Sequence, residues 1–278
     1  MRIATWNVNS ARARAERIGA WLDRSDVDVL AIQETKARDH QFPASVFTER
    51  GYEVAHHGIS QWNGVAIASR VGLKDVQVGF PGQPGYGEPE EVEARALGAT
   101  CGGVRVWSLY VPNGREIDHP HYAYKLRWLE ALREAGAAEL AADPEAQIAY
   151  VGDFNIAPQD DDVWDMAAFD GLTHVTAPER EAFRALAEAG FEDVSRTYTP
   201  GPGVYTYWDY KGLAFPKRRG MRIDFVLASP ALRARVSGAG IDREERKGKG
   251  ASDHAPVIVG LDGEAGLPRE KEKEGDEA

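Results

Sequence analysis

The sequence predicts an α/β protein built from sheets with covering helices, and three observations carry that expectation. Short apolar runs with β-like alternation trade places along the chain with longer stretches of helical periodicity, which argues against an all-α or an all-β domain. The composition, 43% apolar, 9% aromatic and 28% charged, is that of a globular chain and excludes collagen, a coiled coil and wholesale disorder. The 278 residues show no internal repeat and no Ser/Gly linker long enough to divide them, so they read as one domain over residues 1–262 and a charged tail over 263–278.

Strands are expected, in chain order, at Arg2 to Trp6, Val27 to Gln33, Gly64 to Ser69, Val104 to Val111, Gln147 to Gly152, Tyr205 to Trp208, Arg222 to Ala228 and Pro256 to Leu261. Between the first two, Ala13 to Asp23 places Ile18, Trp21 and Leu22 on one helical face. A second helix begins near His119 and aligns Tyr122, Leu126, Leu129 and Leu132, so both helices are expected to pack on a sheet. Pro and Gly mark the loops: Pro81, Gly82, Pro84, Gly85, Gly87 and Pro89 crowd one segment, and Thr199 to Val204 is nearly all turn formers.

Charge and targeting narrow the function. With 33 Lys plus Arg against 44 Asp plus Glu, the formal charge is −11, the reverse of a generic nucleic-acid binder. From Glu264 to Ala278 six acids and three bases contribute −3 of this, and that stretch has almost nothing apolar to bury, so it reads as a disordered, solubilising end. No apolar run approaches the roughly 20 residues that span a bilayer. Met1 to Trp6 goes straight into strand-like alternation without a signal peptide, so a cytoplasmic protein with no membrane contact is expected. The single cysteine, Cys101, reads as a buried structural residue.

Polar residues capable of metal or proton chemistry recur at the ends of the apolar runs, where a sheet edge opens to a ligand. Asn7 and Asn9 follow Trp6, Glu34 follows Ile32-Gln33, Asp153 and Asn155 follow Tyr150 to Gly152, Asp224 sits in Arg222 to Ala228, and Asp253-His254 precedes the last strand. Any one of them alone reads as a cap or turn residue. Their joint occurrence does not.

The segments Trp6-Asn7-Val8-Asn9, Gln33-Glu34-Thr35-Lys36, Trp62 to Ile67, Tyr110-Val111-Pro112-Asn113-Gly114, Gly152-Asp153-Phe154-Asn155, Arg222-Ile223-Asp224 and Ser252 to Pro256 occur in this order, and several specified tetrapeptides in order are not coincidence. On these motifs the sequence resembles the exonuclease III type of the endonuclease/exonuclease/phosphatase superfamily, the bacterial abasic-site repair nucleases. The resemblance spans residues 1 to about 262. It implies a four-layered α/β sandwich, two mixed sheets face to face with helices outside, and an active site at one end of the sheets. It also implies a monomeric phosphodiesterase of base-excision repair acting on double-stranded DNA with abasic sites or 3′ ends, as 3′-to-5′ exonuclease, abasic-site endonuclease and trimmer of blocked 3′ ends.

The residue types agree with that implication. Hard oxygen ligands without a cysteine cluster suit Mg²⁺, with Mn²⁺ as substitute. Glu34 is the first ligand candidate, Asn7 and Asp253 its neighbours, Asp153, Asn155 and His254 further members of the set, and Asn9 a weaker one. Hydrolysis needs an activated water and stabilised phosphoryl charge. Asp153 is the candidate to orient or deprotonate the water, with Asn155 holding the water or a phosphoryl oxygen. His254, oriented and kept protonated by Asp224, is placed on a non-bridging oxygen, and Tyr110 and Asn113 complete the cradle. Whether Asp153 or the Asp224-His254 pair is the base stays open.

DNA contact must come from local patches: Arg12, Arg14 and Arg17 beside the first motif, Arg115, and Lys217-Arg218-Arg219 with Arg222 before Asp224. The resemblance makes the loop at Tyr205 to Tyr210 part of a pocket for a flipped sugar or terminal nucleotide, with Tyr207, Trp208 and Met221 as lining and core packing as the rival. His56-His57 read as structural. Ser10, where many relatives have Gly, and Asn9, where some have Asp, depart from the pattern. Two other readings compete: a superfamily member acting on small phosphoesters or lipids, and a non-catalytic DNA-binding accessory protein. The second would have lost Glu34, Asp153 or His254, and all three are present.

Overall fold

Two mixed sheets of six strands stand face to face in the computed structural model, which describes residues 1–265. The first joins β1 (Arg2–Asn7), β2 (Val29–Gln33), β3 (Glu53–His57), β4 (Val65–Ser69), β11 (Val236–Ile241) and β12 (Val257–Leu261) in the order β11-β12-β1-β2-β4-β3. The second joins β5 (Lys74–Val78), β6 (Ala96–Cys101), β7 (Val104–Tyr110), β8 (Ile148–Asp153), β9 (Glu192–Asp193) and β10 (Asp224–Ala228) in the order β5-β6-β7-β8-β10-β9. Each has one parallel pair at its centre, β1 with β2 and β7 with β8, and antiparallel neighbours around it.

The faces explain the layers. Ile3, Ala31, Ile67, Val106, Val151, Val226 and Val259 fill the space between the sheets. On the far side of the first sheet, Ile18, Trp21 and Leu22 of α1 (Ala15–Ser25) and Phe47 of the short α2 (Ser45–Thr48) pack on Trp6 and Ile32. On the far side of the second, α3 (Pro120–Ala142) and α4 (Ala177–Glu188) pack on Trp107, Tyr150 and Phe225. The result is the four-layered sandwich that the motifs imply. Parallel pairing also fixes where chemistry can occur: Asn7 is in register with Gln33 and Tyr110 with Asp153, while antiparallel β10 brings Asp224 opposite Asp153. All these strand ends open at one end of the sandwich.

Some elements differ from expectation. In α3 the buried face carries Tyr124, Lys125, Trp128, Leu129, Leu132 and Gly136, leaving Tyr122 and Leu126 half-exposed, because the face turns to bury the bulk of Trp128. Tyr205 to Trp208 is not a strand; only Tyr207 pairs, through isolated bridges to Met221 and His254. The strands β3, β5, β9 and β11 were not expected. They are the outermost strands of their sheets, paired on one side, and carry polar residues or glycine. The inner strand β6 escaped because Ala, Gly and Thr dilute its signal. The helix α4 was also missed, although Thr176 and Glu179 form a capping box and Pro178 sits in the first turn.

Cys101 is fully buried, and burial pushes its thiol up to about 11. Past residue 262 the chain still packs: Ser237 donates to the Glu264 carbonyl at 2.9 Å and Arg2 to that of Ala265 at 3.1 Å. The rest of the expected tail, 266–278, lies outside the described residues. Among the described residues no helix is long and apolar enough to cross a membrane.

Between the parallel strands β7 and β8 only glycine fits at 152: a Cβ there would sit 1.9 Å from the Leu109 carbonyl oxygen, with φ at 151°. Gly152→Ala is expected to lower the unfolding free energy by at least ~3 kcal/mol in urea titrations.

Candidate active site

After each central strand the chain must turn sharply, and it does so with backbone few residues adopt. Asn9, Ser10, Glu34, Lys36, Arg115 and Asn155 all have positive φ, between 44° and 92°. Two of these turns are built alike on the two sheets. The Asn7 Oδ1 accepts from the Asn9 amide at 3.0 Å, and the Asp153 Oδ1 accepts from the Asn155 amide at 2.9 Å, so each strand's last side chain braces the loop two residues on. The Ser10 amide then donates to the Glu34 carbonyl at 2.7 Å, locking the first loop to the second.

The side chains at these ends converge. Asn7 Nδ2 donates to Glu34 Oε1 and to Asp153 Oδ2, both at 2.9 Å. His254 Nδ1 lies 2.8 Å from Asp224 Oδ2 and its Nε2 3.7 Å from Asp153 Oδ2. Glu34, Asp153 and His254 each offer a ligating atom within 4.8 Å of the others. Lys36 Nζ lies 2.8 Å from Glu34 Oε2 and also bonds Asn9, whose Nδ2 donates to Asp253 Oδ1 at 3.0 Å. Trp6 Nε1 fixes the His254 carbonyl at 3.2 Å, and Ser252 Oγ donates to the Asn7 carbonyl at 2.7 Å.

Burial sets the electrostatics. The Asp153 carboxyl is pushed up to about 7 by burial and by the charges of Asp224 and Glu34, with His254 pulling the other way. Burial works against a charged His254, but Asp224 and Asp153 override it and raise the imidazole to about 10. Burial also opposes the Glu34 charge, yet Lys36 and Asn7 hold that carboxyl below its usual value. Tyr110 is raised well above the ordinary phenol by burial and by Glu34. The Arg95 guanidinium lies 4.9 Å from the Tyr110 ring centroid.

A second cluster flanks the first. Asn113 Nδ2 lies 3.2 Å from Asn155 Oδ1, and His174 Nε2 is 3.2 Å from both atoms. Beneath them the Lys125 ammonium, wholly buried, donates to the Asn155 carbonyl at 2.6 Å and pairs with Glu179. Lys36, Lys125, His174 and Glu179 had no role in the sequence reading. Lys36 stood inside a quoted motif; the other three are distant in sequence and carry no pattern.

The expected DNA contacts separate into exposed and committed residues. Arg12, Arg115, Lys217, Arg218 and Arg219 are exposed, the last stacked over Trp164 at 4.7 Å. Arg17 is tied to Glu245, Arg14 to Asn9 and Tyr210, and Arg222 is buried against Asp193 and Ser195. Tyr207 lies 4.9 Å from the His254 ring, and Met221 pairs with it along the backbone. Trp208 is different: at 1% exposed it packs among Tyr205, Ala214 and Ala255, so it supports the loop from below and offers no face to a ligand. Trp62, 65% exposed, and Leu213, 66% exposed, are apolar surface residues that the sequence reading did not mark as contacts. His56 is structural as expected, held by Thr35 and Asp39 and stacked on Phe42.

Residues 4–254 match the Endonuclease/Exonuclease/phosphatase family. An exodeoxyribonuclease III of Haemophilus influenzae is 29% identical over 272 residues, which cover 92% of this chain and 98% of that protein. The solved structure of a 3′-5′ exonuclease from Neisseria meningitidis superposes with a TM-score of 0.88 at 36% identity, covering 94% of this chain and 100% of that one. That of an AP endonuclease from Archaeoglobus fulgidus gives 0.87 at 35% identity, covering 94% and 99%.

The folded chain holds the His254 proton more tightly than the ordinary 6.5, so this group's stabilisation is full below pH 6.5 and is lost as pH rises through about 10. Imidazole ¹⁵N shifts of the metal-free protein should show His254 protonated at about pH 8.5, and Asp224→Asn should release the proton at lower pH. A neutral wild-type imidazole at about pH 7.5 would contradict this.

Proposed function

The chain belongs to the endonuclease/exonuclease/phosphatase family, and from that premise we propose that it is a metal-dependent DNA repair nuclease. It hydrolyses phosphodiester bonds, removing nucleotides from 3′ ends of duplex DNA, trimming blocked 3′ ends and incising beside abasic sites. The observation that carries this reading is the convergence of Glu34, Asp153 and His254 within 4.8 Å at one end of the sandwich, with Asn7 bonded to both acids. All of these groups come from one chain, which supports action as a monomer.

The donor set fits a hard divalent cation. Glu34 and Asp153 each offer an oxygen to one point, Asp224 pairs with His254 beside them, and burial with the Asp224 and Glu34 charges pushes Asp153 up to about 7. Oxygen ligands of this kind suit Mg²⁺, with Mn²⁺ as substitute. Glu34 and Asp153 are the holders, with Asn7 orienting both. Asp253 engages Asn9, and the Asn155 Oδ1 faces Asn113 and His174. His254, whose imidazole Asp224 and Asp153 raise to about 10 in the metal-free chain, is assigned to the phosphate. The bound cation supplies Lewis-acid polarisation of a phosphoryl oxygen and neutralises charge on it.

The chain's own residues divide the remaining work. Asp153 orients the attacking water and accepts its proton. His254 donates from Nε2 to a non-bridging oxygen while Asp224 holds its ring and its charge. The Tyr110 hydroxyl and the amides of Asn113 and Asn155 contact the remaining phosphoryl oxygens; Tyr110 stays protonated and so remains a donor. Tyr207 and Met221 line the side facing the scissile nucleotide. Arg12, Arg115, Lys217, Arg218 and Arg219 hold the flanking phosphates, which lets a chain of charge −11 bind a polyanion.

A labelled duplex carrying one tetrahydrofuran abasic analogue and free 3′ ends tests the reading. Cleavage is expected with Mg²⁺ or Mn²⁺, none with EDTA, and a loss of at least ~10³-fold in Asp153→Asn. Length resolution separates incision at the analogue from 3′ shortening. A duplex intact at both places would overturn the DNA assignment and leave small phosphoesters as substrates.

A further inference from the structure

Lys125 is a buried cation that the mechanism above does not use. Its side chain has no exposure, and neither has that of its partner Glu179. A lysine in such a place is costly to bury unless each of its three donors is matched. They are: one engages Glu179, one the Asn155 carbonyl at 2.6 Å and one the Asn113 carbonyl at 3.2 Å. Two of the three acceptors are therefore main-chain atoms of residues whose side chains face the site.

Other bonds also join those two loops: the Val111 amide donates to the Asp153 carbonyl at 2.9 Å, and His174 Nε2 lies 3.2 Å from both Asn113 Nδ2 and Asn155 Oδ1. Asn155 follows β8 with a φ of 51°, and Asn113 lies in the segment after β7 that begins at Val111. Their side chains meet at 3.2 Å, and the Asn155 Nδ2 donates to the Val111 carbonyl at 3.0 Å. On the other side, Glu179 Oε2 accepts from the Thr176 amide and hydroxyl at the start of α4, and Thr176 meets the Tyr122 hydroxyl of α3. The ammonium thus joins both helices to both loops at one point. We propose that Lys125 is a positioning residue, whose ammonium, sealed against Glu179, sets the spacing of Asn113 and Asn155 through their carbonyl oxygens. The inference rests on the phosphodiesterase reading of those two side chains.

Replacing both charges together avoids stranding one of them. Lys125→Met/Glu179→Gln is expected to fold, to lose ~10–100-fold in kcat, and to keep the KM for DNA within threefold, since the flanking phosphate contacts are untouched. Glu179→Gln alone strands the buried Lys125 charge and is expected to melt at a lower temperature than the double variant. A double variant with kcat within threefold of wild type would overturn the proposal. Two readouts do not depend on cleavage and so separate its failure from that of the nuclease reading. Amide hydrogen exchange at residues 113–115 and 155 should quicken at least tenfold in the double variant, with β1 and β2 unchanged. In the wild-type protein, hydrogen-bond scalar couplings from the Lys125 ¹⁵Nζ to the carbonyl carbons of Asn113 and Asn155 should be present; their absence would overturn the proposal without any variant.

Discussion

One carboxamide joins the two halves of this molecule. Asn7 ends a central strand of the first sheet, Asp153 ends a central strand of the second, and the 2.9 Å bond between them crosses the gap at the open end of the sandwich. The same nitrogen also holds Glu34, while its oxygen braces Asn9. The group has one workable orientation, since turning it over would face its oxygen with two carboxylates. Behind it, Gln33 Nε2 donates to Ser108 Oγ at 3.0 Å, and Ser108 donates to the Ile32 carbonyl at 2.9 Å, so a second polar tie between the sheets lies one layer deeper. These ties set the spacing between acids that arrive on different sheets, which apolar packing alone would leave adjustable.

That spacing creates an electrostatic imbalance. The Glu34, Asp153 and Asp224 carboxylates lie around the His254 imidazole in a largely buried site, and Lys36 pairs with Glu34. The cost of holding them together falls on the fold, and a bound cation would relieve it. The overall charge of −11 obscures this local arrangement, because many surface bases are bound to neighbouring acids while those around the site mouth are exposed.

The central strands were legible because they are continuous apolar runs, buried on both faces; β2 and β12, for instance, are buried at every position. Their terminal residues stood out because acids and amides there interrupt an apolar pattern. The outer strands were not, since an edge strand such as β5 is mostly exposed and its sequence alternates little. The face of α3 was misjudged because Lys125 counts as polar in any periodicity, although it is among the deepest residues of that helix. The buried support behind the site was illegible for a related reason. Glu179 and His174 matter through groups they meet across the fold, and no local spacing records such meetings. Trp208 shows the converse: an aromatic in a promising motif that the fold uses as core.

The measurement that bears most directly on this account is the single-turnover cleavage rate of Asn7→Ala on a 3′-ended duplex, taken with its melting temperature. If the cross-sheet amide sets the spacing of Glu34 and Asp153, the rate falls by ~10²-fold or more and saturating Mg²⁺ does not restore it, while the melting temperature drops by only a few degrees. A rate within threefold of wild type would show that the two acids hold their places without Asn7, and would contradict the account.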